Sequence, residues 1–248
     1  MRRTFGIALL ALGLWHAPAS ADTPATLLMA WDDCPTSSLA AGNKNFSCDT
    51  NTGSGSLYCA FHVTAPIDQI IGLEIVVDLQ SSAASLPDWW MLGPPPECRH
   101  DLLTASLDFS AATECEAPGF TGALVQDYLV TEPRGLPSQA RIKTVCYVPS
   151  PQTLSVGPDT TYHAVRLVLS FDRTTGLVVC SGCAPSACLV MNSILVRRLP
   201  GALGGDIQLV VPGPTNSNWA TWRASGTGLC SAVPVRPATW GQIKSLYR

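Results

Sequence analysis

The sequence predicts an all-β protein: an antiparallel β-sandwich, immunoglobulin-like or jelly-roll-like, that is stapled by disulfides. Two patterns favour this class. Apolar and polar residues alternate in many short segments, and turn residues separate those segments with almost no helical periodicity. Of the 248 residues, 46% are hydrophobic and 13% are charged, so the chain can build a core and is not intrinsically disordered. The 20 glycines and 20 prolines follow no period, which excludes collagen and argues against long helices.

Nine segments have the composition and period of strands. The clearest begins at Leu73, where aliphatic residues at every second position alternate with Glu74, Val76, Asp78 and Gln80. Turn-rich stretches separate the segments. The predicted strands are 26–31, 56–64, 73–80, 102–109, 123–130, 140–148, 162–171, 188–197 and 206–211.

The first residues are typical of a secretory signal peptide. Arg2 and Arg3 precede an apolar run over 5–15, and Ala19-Ser20-Ala21 supplies the small residues that precede a cleavage site. We expect cleavage after Ala21 and therefore a secreted protein, extracellular or periplasmic, whose mature form has no membrane span. Removing the two arginines leaves 13 of the 15 basic residues against 18 acidic ones, a formal charge of −5 that argues against nucleic acid as a partner.

After the signal peptide (1–21), the pattern predicts a β-sandwich domain over 22–211 and a loop-rich C-terminal extension over 212–248. Pro, Gly, Ser, Thr and Asn dominate the extension up to residue 239. In its last nine residues Trp240, Ile243 and Tyr247 fall on one helical face, which predicts a short helical turn.

All ten cysteines lie after the predicted cleavage site, and we expect all of them to form structural disulfides. Cys34 and Cys48 flank one polar loop, and Cys98 and Cys115 flank a second segment, so each pair could close a short ring. Alternation places two further cysteines on the inward faces of separate strands, where they could bridge the core. These two are Cys59 and Cys146.

The remaining four cysteines are Cys180, Cys183, Cys188 and Cys230. Cys180-Ser-Gly-Cys183 raises the alternatives of a zinc site or a thioredoxin-like redox motif. No histidine lies near these four cysteines, and Pro185 opposes the helix that a redox motif needs, so we favour disulfides and expect no bound metal or cofactor. Cys230 is expected to tie the extension to the sandwich.

The strongest candidate ligand site is a proline-stiffened loop that carries Trp89 and Trp90. Flat aromatic faces can pack on the apolar face of a sugar, and Asp88 could accept hydrogen bonds from its hydroxyls. The alternative is that the indole rings close the open end of the sandwich, because a tryptophan buries a large apolar area.

No catalytic residue can be assigned from the sequence. His62 is predicted to face outward, and His163 begins the apolar face of a strand, where a hydrogen-bonded structural role is expected. Glycosidase chemistry needs two carboxylates in one cleft, but adjacent Asp32 and Asp33 should point in opposite directions on a strand. The other acidic pair is Glu114 and Glu116, and the third histidine of the mature chain is His100.

A calcium loop is a further candidate. Asp49 and Asn51 occupy alternate positions, as at the start of an oxygen-ligand loop, but the third ligand and the bidentate glutamate are missing. Asparagine and glycine are also ordinary turn residues.

Three segments resemble a group of secreted bacterial proteins of similar length, whose shared motifs are cysteine frames and turns without known chemistry. They are 31–51, beginning Trp31-Asp-Asp-Cys34; 180–194, beginning Cys180-Ser-Gly-Cys183; and 239–248, beginning Thr239-Trp-Gly-Gln. The resemblance implies bacterial export and a shared architecture, and it transfers no catalytic residue. Cys59 and Cys146 are additions to that frame, which favours their pairing with each other.

These observations predict a secreted, non-enzymatic binding or structural module. Its expected partner is an extracellular glycan, bound through Trp89 and Trp90, or a surface protein. The alternatives are an extracellular hydrolase and an assembly or sorting role for the C-terminal segment.

Overall fold

The computed structural model describes residues 21–113, 115–211, 217–224 and 230, and this part of the chain folds as a β-sandwich. All nine predicted strands are present, with three short additional ones and a 3-10 helix at Asp88–Trp90. No helix among these residues is long and apolar enough to cross a bilayer. The strands are β1 (Ala21–Trp31), β2 (Asn43–Lys44), β3 (Ser54–Val63), β4 (Ile67–Ser81), β5 (Leu103–Ser106), β6 (Gly122–Val130), β7 (Gln139–Tyr147), β8 (Leu154–Val156), β9 (Thr161–Ser170), β10 (Ala187–Arg198), β11 (Ile207–Val210) and β12 (Trp219–Trp222).

The strands form two layers that share β1. The small sheet has the order β5-β9-β3-β1, and the large sheet has the order β11-β10-β4-β7-β6, with β8 beside β4, β12 beside β10 and β2 beside β12. Residues 21–24 of β1 pair in parallel with β11, and residues 25–31 pair antiparallel with β3. The first strand therefore joins the two sheets along one edge of the sandwich.

The core lies between the two sheets and follows the predicted alternation. In β4, Leu73, Ile75, Val77 and Leu79 are at most 1% exposed, because every second side chain of a strand points to the same face. Burying each such aliphatic side chain stabilises the fold by about 1.5–3 kcal/mol relative to leaving it in water.

A β-bulge in β9 changes the predicted orientation of His163. Cys59 of β3 lies opposite Val165, whereas the next residue, Ala60, lies opposite His163, so Ala164 is the extra residue. The bulge moves His163 to the outer face of the small sheet, away from the face of Val165. The prediction that His163 begins the apolar inner face is therefore wrong.

The predicted C-terminal extension contains a strand of the large sheet. β12 pairs with β10, and its Trp222 side chain is fully buried. The indole Nε1 of Trp31 donates to the carbonyl oxygen of Thr221 at 2.8 Å, which ties β12 to β1. The predicted helical turn at 240–248 and all but the last residue of the predicted signal peptide lie outside the described residues.

Eight cysteines form four disulfides that join segments distant in the sequence. The predicted short rings Cys34–Cys48 and Cys98–Cys115 are wrong, whereas the attachment of Cys230 to the sandwich is confirmed. Loops from different strands meet at the ends of a sandwich, so cysteines pair across 42 to 135 residues rather than within one loop. In the chain-entropy model rings of this size contribute about 4–5 kcal/mol each, against about 3 kcal/mol for a short one. The pairs are Cys34–Cys115, Cys48–Cys183, Cys98–Cys180 and Cys188–Cys230.

The Cys180-Ser-Gly-Cys183 motif is a turn rather than a metal or redox site. Its two cysteines bind different partners, so they do not form the local disulfide of a thioredoxin-like motif. Gly182 has a φ of +88°, and a Cβ at this position would lie 2.3 Å from Cβ of Pro87. The motif needs glycine here because the turn packs directly against the segment that carries Trp89.

Cys59 and Cys146 are free thiols, so the predicted bridge across the core is wrong. Both are fully buried, one on each sheet, as the alternation predicted. The Cys146 thiol donates instead to the carbonyl oxygen of Ala164, the extra residue of the bulge, at 3.4 Å. Burial raises the pKa of the Cys146 thiol to about 12, and burial together with the neighbouring Cys146 raises the pKa of the Cys59 thiol further. Both thiols should therefore stay protonated and react slowly in the folded protein.

Candidate functional site

The loop with Trp89 and Trp90 does not offer a sugar-binding surface. Both rings are buried, with 0% and 1% exposure, and the Trp89 ring centroid lies 4.7 Å from that of Trp222. The sugar-stacking hypothesis is therefore not supported for these two rings, and the alternative, that they close the end of the core, describes the structure. Asp88 remains exposed and accepts a hydrogen bond from the Ser181 hydroxyl at 3.2 Å.

A buried arginine holds this aromatic segment in place. The guanidinium of Arg99 lies 3.9 Å from the centroid of the Trp89 ring and donates to the carbonyl oxygens of Trp89 and Ser170. The Arg99 side chain is fully buried, and burial lowers its pKa to about 10. The cation thus links the 3-10 helix to the end of β9, which makes the tryptophan segment part of the scaffold.

The loop between β9 and β10 presents three consecutive exposed aliphatic side chains, which we call the contact loop: Leu177, Val178 and Val179. Their exposed fractions are 106%, 71% and 50%. Adjacent exposed aliphatic side chains form a contiguous apolar patch, which makes this loop a candidate interaction surface.

The contact loop is anchored at both ends. Cys180 is bonded to Cys98, and its backbone N–H donates to the carbonyl oxygen of Arg173 at 2.8 Å. On the other side, Oδ1 of Asn51 accepts the backbone N–H groups of Thr174 and Thr175 at 2.8 and 2.7 Å. These bonds restrain both ends of the loop, which reduces the conformational entropy that any binding event would cost.

The same contacts argue against calcium at Asp49 and Asn51. Oδ1 of Asn51 already accepts two N–H groups, and the Asp49 carboxylate accepts the Ser47 hydroxyl at 2.5 Å. A calcium ligand would need that amide oxygen to face a cation. Asn51 instead binds the backbone of the two residues, Thr174 and Thr175, that shortly precede the contact loop.

A second cluster lies on the outer face of the small sheet and contains Cys34, Cys115 and His163. One potential ligand atom from each residue lies within 4.8 Å of the other two. His163 is 1% exposed, and both its backbone N–H and its ring Nδ1 contact the carbonyl oxygen of Glu116, at 2.7 and 2.9 Å. Nδ1 is therefore the protonated nitrogen, and the lone pair of Nε2, which is buried, has no hydrogen-bond partner. Burial lowers the pKa of His163, so the ring is neutral at pH 7.

Asp33 organises the loop beneath this cluster. Its Oδ1 accepts the backbone N–H groups of Cys34 and Thr113, both at 2.7 Å, and its Oδ2 accepts the Ser37 hydroxyl at 2.8 Å. Burial by itself would raise the pKa of this carboxyl group, but the hydrogen bonds outweigh it and lower the pKa. Asp32 pairs instead with Lys44 at 2.7 Å, so the two carboxylates have different partners. Both aspartates lie in the bend that follows β1 and not on a strand, so the strand geometry predicted for them is wrong.

The histidines and acids do not form an acid–base pair in the described part of the chain. No described histidine side chain hydrogen-bonds to a carboxylate; the ring of His100 lies 3.0 Å from the carbonyl oxygen of Glu97 and 3.4 Å from the Arg173 guanidinium. His62, on the outer face of β3, is half-buried. Glu114 lies outside the described residues, so the pair with Glu116 stays untested.

An internal cavity between the sheets is too small for a ligand. Its volume is about 10 Å³, and apolar side chains line it, among them Trp31, Trp90 and Leu189. This space could hold about one water molecule, whereas small-molecule sites are about 300–1,000 Å³.

Sequence reasoning missed the contact loop and the cysteine–histidine cluster. A run of three aliphatic residues between Gly176 and Cys180 normally indicates a short buried strand, so its exposure could not be foreseen. Cys34, Cys115 and His163 come from three separate segments, and no spacing rule connects them. In comparisons with known proteins, no family model, curated protein or solved structure matches this chain.

Proposed function

We propose that this protein is an exported, non-enzymatic interaction module that binds a protein partner outside the cytoplasm through the contact loop. The observation that carries the proposal is the exposure of Leu177, Val178 and Val179 on a loop held by a disulfide and by Asn51. Four disulfides favour an oxidising compartment, and the predicted signal peptide favours export.

The partner should offer an apolar recess. If the partner buried half of the apolar surface of the three contact-loop side chains, this burial would stabilise the complex by about 3 kcal/mol. That free energy corresponds to roughly a hundredfold in affinity. Charge favours a protein over an anionic lipid surface, because the formal charge after removal of the signal peptide is −5. Binding is favoured over catalysis because Nδ1 of His100 and Nδ1 of His163 each contact a backbone carbonyl oxygen and neither described ring hydrogen-bonds to a carboxylate.

The test replaces all three contact-loop residues, as Leu177→Ser, Val178→Ser and Val179→Ser, in the full chain. Leu203→Ser is the matched control, since Leu203 is an equally exposed leucine (95%) in the turn between β10 and β11. Purified wild type and both variants are immobilised and exposed to the exported proteins of the source cell. A retained partner is then purified and titrated against each form.

We expect saturable binding by wild type and the Leu203 variant, weakened about a hundredfold in the triple variant with an unchanged melting temperature. Equal binding by the triple variant would overturn the proposal. Two further measurements test whether something other than a protein partner covers the contact loop. Titration with neutral and anionic phospholipid vesicles tests for a lipid surface, and sedimentation of the protein alone tests for a second copy of this chain. Loop-dependent vesicle binding or self-association without a partner would contradict the proposed class of partner.

A further inference from the structure

We propose that Cys34, Cys115 and His163 bind one thiophilic d10 cation, Zn²⁺ or Cu⁺, when the disulfide between the two cysteines is reduced. This metal site is independent of the contact loop. Two thiolates and one imidazole are a donor set that both cations prefer.

The spacing of the three ligand atoms fits a single ion. With Zn–S and Zn–N bonds of about 2.3 and 2.0–2.1 Å in tetrahedral geometry, two sulfurs lie about 3.8 Å apart and a sulfur and a nitrogen about 3.6 Å apart. The three potential ligand atoms of the cluster lie within 4.8 Å of one another. After the S–S bond is broken, we expect rotation of the cysteine side chains to bring the ligand atoms to these distances.

The orientation of His163 is the second and independent observation. Its Nδ1–H donates to the carbonyl oxygen of Glu116 at 2.9 Å, which fixes the tautomer and leaves the lone pair on Nε2. Nε2 has no hydrogen-bond partner in the structure, and because His163 is only 1% exposed, solvent does not supply one. A buried acceptor without a donor is a vacant ligand position, and after reduction of the disulfide a cation beside the two sulfurs would occupy it.

Access and coordination number are also consistent with such an ion. Cys115 is half-buried, so one edge of the cluster reaches solvent. The described residues supply three protein ligands there, which matches trigonal Cu⁺ or a tetrahedral Zn²⁺ that keeps one water. The bulge at Ala164 is what turns His163 toward this face.

The site requires reduction of one disulfide, and the reductant is an external dithiol. Two electrons and two protons from the dithiol break the S–S bond and give two Cys–SH groups, while the dithiol becomes a cyclic disulfide. The cation then replaces the two thiol protons, which are released to solvent, and Nε2 of neutral His163 completes the protein ligands.

The experiment reduces the full chain anaerobically with graded dithiothreitol, removes the reagent, and identifies the opened disulfides by differential alkylation and mass spectrometry. Co²⁺ is titrated first as a spectroscopic substitute, followed by displacement with Zn²⁺ and, in a separate titration, Cu⁺. His163→Gln and the double variant Cys34→Ser, Cys115→Ser remove ligands. His100→Gln and the double variant Cys98→Ser, Cys180→Ser are matched controls at another histidine and another disulfide.

We expect one equivalent of Co²⁺ with a thiolate-to-cobalt charge-transfer band in wild type and both controls. His163→Gln should weaken binding at least ~10-fold, and the Cys34/Cys115 double variant should abolish it. The ¹⁵N shift of His163 Nε2 should change on binding of diamagnetic Zn²⁺. The relative affinities for Zn²⁺ and Cu⁺ decide which cation the site prefers.

Three results would overturn the proposal. The first is the absence of a stoichiometric metal in the reduced, folded wild type. The second is equal metal binding by the Cys34/Cys115 double variant, which would point to the free thiols Cys59 and Cys146. The third is reduction of Cys34–Cys115 only together with loss of the far-ultraviolet circular dichroism of the β-sandwich, since the site is proposed for the folded protein.

Discussion

Replacing Trp222 with alanine should remove the centre of the aromatic core at one end of the sandwich. The Trp222 ring is fully buried, and its centroid lies within 6.2 Å of five other aromatic rings. Its Nε1 also donates to the carbonyl oxygen of Cys183 at 3.0 Å. One side chain thus joins β12 to the disulfide-bonded turn and to both layers.

The expected loss in the free energy of unfolding is about 5 kcal/mol. Truncation of a buried tryptophan to alanine costs about 3–5 kcal/mol, and leaving the Cys183 carbonyl oxygen without its donor adds about 1 kcal/mol. The matched control is Trp219→Ala on the same strand, because the Trp219 side chain is half-buried and lies outside the aromatic core. We expect a loss of about 1–1.5 kcal/mol from the control.

Urea unfolding with the disulfides intact, followed by far-ultraviolet circular dichroism, measures both variants. With a slope of about 3 kcal/mol per molar urea, the midpoint should fall by about 1.5–2 M for Trp222→Ala and by less than about 0.5 M for Trp219→Ala. A loss below about 2 kcal/mol at Trp222, or equal losses at the two positions, would refute the assignment of β12 to the core.

Three further predictions concern the two buried thiols, the buried His163 ring and the turn at Gly182. The native, non-reduced protein should contain two thiols, Cys59 and Cys146, which react with iodoacetamide only after denaturation; mass spectrometry showing none would contradict the pairing described above. Since burial lowers the folded-state pKa of His163 below its ordinary 6.5, its contribution to stability is complete above pH 6.5 and is lost as the pH falls below that value. The melting temperature should therefore drop between pH 7.5 and 5, with a smaller slope in His163→Gln, and equal slopes would exclude this group as the cause. Gly182→Ala should cost about 2–4 kcal/mol in urea unfolding, because an alanine at positive φ is strained and its Cβ would collide with Pro87; a neutral effect would mean that the turn shifts freely.

The strands could be predicted from the sequence because their signal is local. In β4, alternate side chains from Leu73 to Leu79 reach the core, and a period of two residues is visible without any knowledge of neighbouring strands. The added strand β12 was missed because its four residues lie among turn-forming residues and its stability comes from pairing with β10. Sequence patterns identify strands whose own residues alternate, and they miss strands that are stabilised mainly by pairing with a neighbouring strand.

The disulfides and the candidate sites could not be predicted because they are properties of the assembled loops. Cys48 is joined to Cys183 across 135 residues, so loop proximity in the sequence gave the wrong partner. His163 was placed on the wrong face because a bulge shifts every side chain beyond it by one position, and a bulge of Ala164 has no signal in the residue types. The tryptophans were identified as important, but the choice between a binding surface and a core depends on what covers them.

The disulfides and the aromatic core also explain why the contact loop can remain apolar and exposed. Cys98–Cys180 and Cys48–Cys183 attach the segment between β9 and β10 to two other loops, and Trp89 donates from its Nε1 to the Thr174 hydroxyl at 3.1 Å beneath it. A flexible chain with three adjacent aliphatic residues would fold back and cover them, because that burial is favourable. A loop held from both ends and from below cannot do so. The cross-links therefore favour an apolar surface that stays in solvent, and this is the surface that the proposed partner would cover.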